Sequence, residues 1–394
     1  DRRQARHDIE FVLLFTDGAS VVFSPGRTVP MTPEQINAEK LHAHGGRARS
    51  FAWLLRRLLV IAAWFAVLLA SAWCAAALYF DLPFPHLRVP VAIVYVLFIA
   101  GVIFFARGDG TRLAICLGGF IVVLLWWLSL KPSNNRDWQP DVAQTAWAEV
   151  NGDVITVHNY RDCRYQTESE YKCEWVTKTV RLSELRGIDV AFIHWGLPRI
   201  AHLIVSFRFA DDDYIAISVE MRKQVGQSYS AIRGFFRQFT LIYIFADERD
   251  LIRLRSNFRH GEEVDLYRTT ATAEYSRQLF LQYLVRANQL HERPEWYNAV
   301  TSNCSTNVFS EMRAIGPLPA GISRFDPRVL LSGEADEMLF EHGLLAGNLP
   351  FAQLREQSRI NPTARAADHS ADFSRLIRAG RAGFDTAVPE PPMQ

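Results

Sequence analysis

At 394 residues the chain is long enough for two or three structural units. Its formal net charge of +1 provides no basic field for gathering phosphates, which excludes DNA and RNA as expected partners. An apolar share of 49% is only slightly high for a soluble protein, so its distribution along the chain carries more information than its average.

Residues 1–50 read as a cytoplasmic N-terminal segment. Apolar runs on either side of Thr16-Asp17-Gly18 suggest a small hairpin over 11–24. Met31, followed by Thr32-Pro33-Glu34-Gln35 as a helix start, is a candidate initiation site. Residues 51–131 then read as a three-helix transmembrane region. Residues 58–80 carry no charge and are long enough to cross a hydrocarbon core of roughly 30 Å, and 89–106 and 113–130 are two further uncharged runs. Arg47, Arg49, Arg56 and Arg57 precede the first run, and Arg107 and Arg112 lie in the second loop. The first loop offers only Arg88, and the exit from the third run only Lys131 and Arg136. Basic residues near spans stay on the cytoplasmic side, so the N-terminus is expected inside. Everything after Lys131 is then outside, periplasmic in a Gram-negative cell or extracellular in a Gram-positive one.

Pro132-Ser133-Asn134-Asn135 reads as a linker into a domain over 135–360. Residues 148–158 read as extended around the turn Asn151-Gly152-Asp153. Strands are expected within 201–222, over 239–245 and over 250–255, and helices over 274–291 and 304–315, the last ended by Gly316-Pro317. Strands followed by helices predict an α+β domain with an antiparallel sheet. Residues 361–394, rich in Ala and Arg and finishing in Pro389-Glu390-Pro391-Pro392, read as a disordered tail.

Of five cysteines, Cys74 and Cys116 fall in spans as small apolar side chains. Cys163 and Cys173 flank a polar stretch that suits a hairpin tip, and an oxidising compartment would join them in a disulfide. Zinc would need two more ligands, and only His158 is close, so no metal or other cofactor is expected. Cys304 is left unpaired, a buried bystander or a nucleophile.

In Ser302-Asn303-Cys304-Ser305-Thr306-Asn307 the polar residues suit helix caps, which puts Cys304 in a first turn. There the free N–H groups and the helix dipole favour thiolate and could hold an oxyanion. A cysteine nucleophile needs a base, and His202 is the best framed. From 201 to 209 the odd positions are apolar while His202, Ser206 and Arg208 share the other face, the alternation of a strand with one buried face. A three-residue loop, Asp211-Asp212-Asp213, would pair Ala210 with Tyr214. That register sets Arg222 opposite His202, Glu220 opposite Ile204 and Ser218 opposite Ser206, with Glu220 diagonal to His202 and able to orient it. Glu220 and Arg222 read equally as a surface ion pair. Asp247-Glu248-Arg249-Asp250 with Arg253 and Arg255 reads as a solvated face. Spacing alone stops at a possible thiol enzyme.

A set of segments within 148–311 carries a resemblance. They are His158-Asn159-Tyr160-Arg161 with Tyr165, Trp195-Gly196 before Ile200-Ala201-His202, and Ser206-Phe207 with Phe209. Ile217-Ser218-Val219-Glu220-Met221-Arg222, Ala246-Asp247-Glu248-Arg249-Asp250 and Arg253-Leu254-Arg255 follow. Pro294-Glu295-Trp296-Tyr297-Asn298 and Asn303-Cys304-Ser305-Thr306 complete the set. Together they resemble the Lnb N-terminal periplasmic domain family of bacterial membrane proteins, although Cys163 and Cys173 are not part of that pattern. The order of histidine on a strand, then cysteine opening a helix, is also similar to the circularly permuted branch of the papain-like clan.

The resemblance implies a papain-like periplasmic domain anchored in the inner membrane. Its expected activity is acyl transfer through a thioester on membrane lipid or diacylglyceryl lipoprotein, the reaction of the family's named member, a lipoprotein N-acyltransferase. Cys304 would then be the nucleophile, His202 the base and Glu220 its orienting carboxylate. Arg222, Asn303, Ser218 and Tyr297 would bind substrate. A cysteine peptidase or amidase on cell-wall peptide and a non-catalytic envelope protein are the competing expectations.

Overall fold

The computed structural model describes residues 33–384 apart from 198, 320, 324 and 325, with side chains described from residue 51 onward. The hairpin expected over 11–24, and the part of the C-terminal tail past 384, lie outside the described residues. The chain divides after Ala66. Residues 33–66 are helical and form the first part of α1 (Pro33–Asp81).

The rest of α1 is followed by α2 (Pro85–Phe105) and α3 (Asp109–Ser129). The stretches Phe51–Asp81, Pro85–Phe105 and Asp109–Ser129 are each long and apolar enough to cross a membrane. Cys74, Leu78, Tyr95, Ile99, Val102, Cys116 and Val123 pack together, while residues such as Leu97, Phe104 and Leu125 project outward, an arrangement suited to lipid.

Eight strands follow, namely β1 (Trp147–Asn151), β2 (Val154–Tyr165), β3 (Tyr171–Arg181), β4 (Gly187–Trp195), β5 (Ala201–Arg208), β6 (Tyr214–Arg222), β7 (Thr240–Ala246) and β8 (Glu262–Arg268). They form one sheet in the order β1-β2-β7-β6-β5-β4-β8, with β3 added to β2. Only the β2–β7 pairing is parallel. The intervening and following helices are α4 (Glu248–Arg253), α5 (Ala273–Glu292), α6 (Cys304–Ile315), α7 (Pro327–Leu331), α8 (Ala335–Glu341), α9 (Phe351–Ser358), α10 (Asn361–Ala366) and α11 (Phe373–Leu376). The α+β expectation holds.

Five expectations are corrected. Residues 250–255 form no strand: they belong to α4 and to the π-helical turn Leu254–Phe258 that continues it. Nor are they a solvated face, since Leu251, Ile252 and Leu254 bury an apolar stripe and draw Glu248, Asp250 and Arg255 inside with them. The sheet has two buried faces. Leu203, Val205 and Phe207 pack toward α5 and α6, with Phe207 5.0 Å from Phe280, while Ile204, Ala216 and Ile244 pack toward α4, α10 and α11. Even-numbered polar residues of β5 are therefore buried, and they need partners.

Ser206 donates to Glu248, Arg378 forms ion pairs with Glu248 at 2.6 Å and Asp189 at 2.8 Å, and Arg268 reaches Asp189 at 2.8 Å. Arg378 belongs to the stretch expected to be disordered. Residues 361–384 are instead folded, with Phe373 and Ile377 buried against the sheet.

Last, the β5–β6 register differs by one pair. Arg208 faces Tyr214 and Ile204 faces Ser218, because Phe209 N–H bonds Asp213 O and closes a five-residue connection in place of three. Parity is kept, and extending the ladder sets His202 level with Glu220. The β2–β3 hairpin matches its expectation: Cys163 and Cys173 face each other and are joined in a disulfide.

Candidate active site

Cys304 is the first residue of α6. Asn303 caps it in a reciprocal arrangement: Asn303 Oδ1 accepts Thr306 N–H at 2.9 Å and Thr306 Oγ1 accepts Asn303 N–H at 2.9 Å. Asn303 Nδ2 donates to the carbonyls of Ala299 and Leu330. These bonds hold the helix start rigidly and occupy the side chain of Asn303, which therefore acts as a cap. The substrate contact expected of it is not what the geometry supplies.

His202, the second residue of β5, meets this helix start. Its imidazole hydrogen-bonds the Cys304 sulfur, which also accepts the Leu203 N–H. His202 Nε2 lies 2.7 Å from Ser218 Oγ and 3.2 Å from Glu220 Oε1, and Ser218 Oγ–H donates to that same carboxylate oxygen at 2.8 Å. Ser218 is wholly buried and bridges base and carboxylate, so it too departs from the substrate-binding expectation.

The electrostatics favour an ion pair. Burial would lower the His202 imidazole, but the neighbouring Glu220 carboxylate outweighs it and, with Cys304, raises the ring to about 9. Burial would raise the Cys304 thiol, yet the His202 charge, its hydrogen bond and the Leu203 N–H hold it below its ordinary value. Glu220 is likewise held well below the usual carboxylate range despite burial, by His202 and then Arg255. The imidazole is thus charged at neutral pH and biases the thiol beside it toward the thiolate that nucleophilic attack requires.

Arg255 escaped the sequence reading. It donates at 3.0 Å to Glu220 and at 3.0 Å to Glu262, and is almost fully buried. The apolar Leu251-Ile252 and Leu254 around it were the available signal, since they mark a buried helix. Arg222 moves the other way. The corrected register takes it past His202, and its guanidinium bonds the carbonyls of Val142 and Ala143 and Asn134 Oδ1, over the ring of Trp138. Burial pulls it down to about 10. It fixes the linker after the third apolar helix to β6.

Tyr297 is within electrostatic reach of the nucleophile. It is nearly buried, and burial followed by the Cys304 charge pushes its phenol up; Tyr229 responds in the same way. An apolar cavity of about 360 Å³ extends between the sheet and α6, bounded by Leu203, Val205, Val308, Phe309 and Met312. A polar cavity of about 420 Å³ lies on another side of α6, beside Ser302 and Thr306. Neither is lined by Cys304, so cavity size alone would not have located this chemistry. Among the described residues one group could present ligands to a cation, His194, Asp265 and Asp336. Arg355 lies 3.3 Å from Asp336 and 3.9 Å from Asp265 and already supplies positive charge there.

The family model described as the Lnb N-terminal periplasmic domain matches residues 171–333, a stretch that includes His202, Ser218, Glu220, Arg255 and Cys304. No curated protein and no solved structure matches the chain. With its three membrane-capable helices, the chain is a membrane protein with a periplasmic domain.

Proposed function

The chain carries an Lnb N-terminal periplasmic domain, and from that premise we propose that it is a thiol acyltransferase of the bacterial inner membrane. Its N-terminus is cytoplasmic, and its substrates are lipid or lipoprotein acyl esters at the outer surface of that membrane. The observation that carries this reading is the contact of Cys304 with His202, backed by Ser218, Glu220 and Arg255.

The thiolate of Cys304 attacks the ester carbonyl carbon. The resulting oxyanion sits near the first-turn N–H groups of α6, which helix geometry leaves without intrahelical acceptors. The C–O bond breaks, His202 protonates the departing alcohol, and a thioester remains on Cys304. An acceptor amine then attacks the thioester, gives its proton to His202, and the thiolate leaves. Glu220 keeps the imidazole aligned and stabilises it whenever it carries the proton.

An acyl ester is favoured over a peptide by the apolar cavity along α6, whose walls Leu203 and Val308 adjoin His202 and follow Cys304 by one turn. The test is Cys304→Ala in the host, with lipoprotein N-termini read by mass spectrometry. Loss of an acylated product supports the proposal. Unchanged acylation with altered cell-wall fragments would transfer the site to a peptidase or amidase.

A further inference from the structure

The connection between β6 and β7 leaves the strand that carries Ser218 and Glu220 and returns after seventeen residues. It is no slack loop: Gly234, Phe235 and Phe236 close successive turns on Ser230, Ile232 and Arg233, and Gln227 binds Gln139. Yet Val225 is 58% exposed, Tyr229 58%, Ile232 63% and Phe235 46%. Leaving four large apolar side chains in water on one short ordered segment is unfavourable.

Two sets of contacts locate this segment. Phe236 packs on Phe80 at 4.9 Å, the Gln238 amide donates to Phe80 O and to Asp81 at 2.7 Å, and Arg237 donates to the carbonyls of Leu128 and Leu130. These partners are the C-terminal ends of the first and third apolar helices, where the chain leaves the hydrocarbon. On its other side, Gly234 O accepts Ala299 N–H at 2.8 Å. A β-carbon at Gly234 would stand 3.2 Å from that of Ala299, two residues from Tyr297, and Tyr229 itself lies near Cys304. Residues 223–240 include Lys223, Arg233 and Arg237 and no acid, a charge pattern suited to anionic lipid headgroups.

We propose that residues 225–235 dip into the outer leaflet of the bilayer that the three helices cross, forming a lip over which a lipid passes from the membrane to Cys304. The occupant of the exposed apolar surface is phospholipid. The inference rests on the functional reading above for the fate of that lipid but not for the immersion itself.

The test uses the unaltered full chain in nanodiscs of phosphatidylethanolamine and phosphatidylglycerol, doped with a phospholipid bearing a diazirine near the acyl carbonyl. After illumination, peptide mapping is expected to place adducts within 225–235 as well as in the helices. Adducts confined to the helices would overturn the proposal and return the patch to a protein partner. In Ile232→Asp with Phe235→Asp, adducts on this segment should fall at least about tenfold, while iodoacetamide still labels Cys304, showing an intact site. Undiminished adducts in that variant would also overturn it. Adducts on 225–235 in a chain that transfers no acyl group would leave the lip standing and refute only the transferase reading.

Discussion

Glu220→Gln is the sharpest probe of the ion pair. The substitution keeps size and an acceptor oxygen for Ser218 and Arg255 but removes the charge. Raising an imidazole from 6.5 to about 9 corresponds to about 3 kcal/mol of extra hold on the proton. Burial and Arg255 both act against that rise, so Glu220 and the thiolate together must supply more than the net figure. Without the carboxylate the ring returns to 6.5 or below, and the thiol, deprived of its imidazolium, returns toward its ordinary 9.0 or above. At pH 7 a thiol of 9.0 is only about 1% thiolate, so alkylation of Cys304 slows. The assay is iodoacetamide labelling followed by intact mass from pH 5 to 9, with Cys304→Ala as the blank. The wild-type rate should rise at lower pH than the variant's, which should climb only toward pH 9. Superimposable pH profiles would refute the reasoning.

Other expectations concern stability and docking. Reducing the Cys163–Cys173 bridge, or Cys163→Ser with Cys173→Ser, should cost about 2–3 kcal/mol for so short a loop, seen as a lower Tm with Cys304 labelling unchanged. Asp247 caps α4 by accepting Arg249 N–H, and burial, with Glu248 and Asp213, raises it to about 6. A carboxyl held above its unfolded value costs stability once ionised, and the cost is relieved as pH falls through about 6. Asp247→Asn, which keeps the cap, should therefore raise Tm at pH 7 by on the order of 1–2 kcal/mol of stability, with the gain shrinking toward pH 4. Asp81 accepts from Trp127 and Gln238, each at 2.7 Å, and from Arg237 N–H at 3.2 Å. Asp81→Leu should loosen residues 130–136 and 224–239, detectable as new protease cleavage there while the remainder of the periplasmic domain resists.

The three apolar helices, α5 and α6 were legible because their signals are local: an uncharged run, a 3.6-residue period, a cap followed by Gly316. The thiol and its base were legible for the same reason, since a cap motif and a strand alternation each frame one residue. What failed was non-local. Whether β5 buries one face or two depends on α4, α10 and α11, which lie 40 to 170 residues away, and a stretch of alternating charge such as 247–255 looks identical whether its partners are water or buried counter-ions. A two-residue difference in register carried Arg222 past His202, and Arg255 was missed because its burial depends on the packing of α4 and the turn after it. The reading at Ser218 and Glu220 survived because that difference preserved parity.

Arg378 neutralises Asp189, 189 positions earlier in the chain, together with Glu248. During synthesis both carboxylates are committed to the interior of the sheet long before their guanidinium leaves the ribosome. Arg268 reaches Asp189 sooner, but at 5–20 residues per second the 130 positions from Glu248 to Arg378 take roughly six seconds or more. The periplasmic domain can thus close one side of its sheet early but must wait until residue 378 has crossed before the other side seals. Fragments that stop short of residue 378 should be cleared by envelope proteases and not persist as shortened anchors.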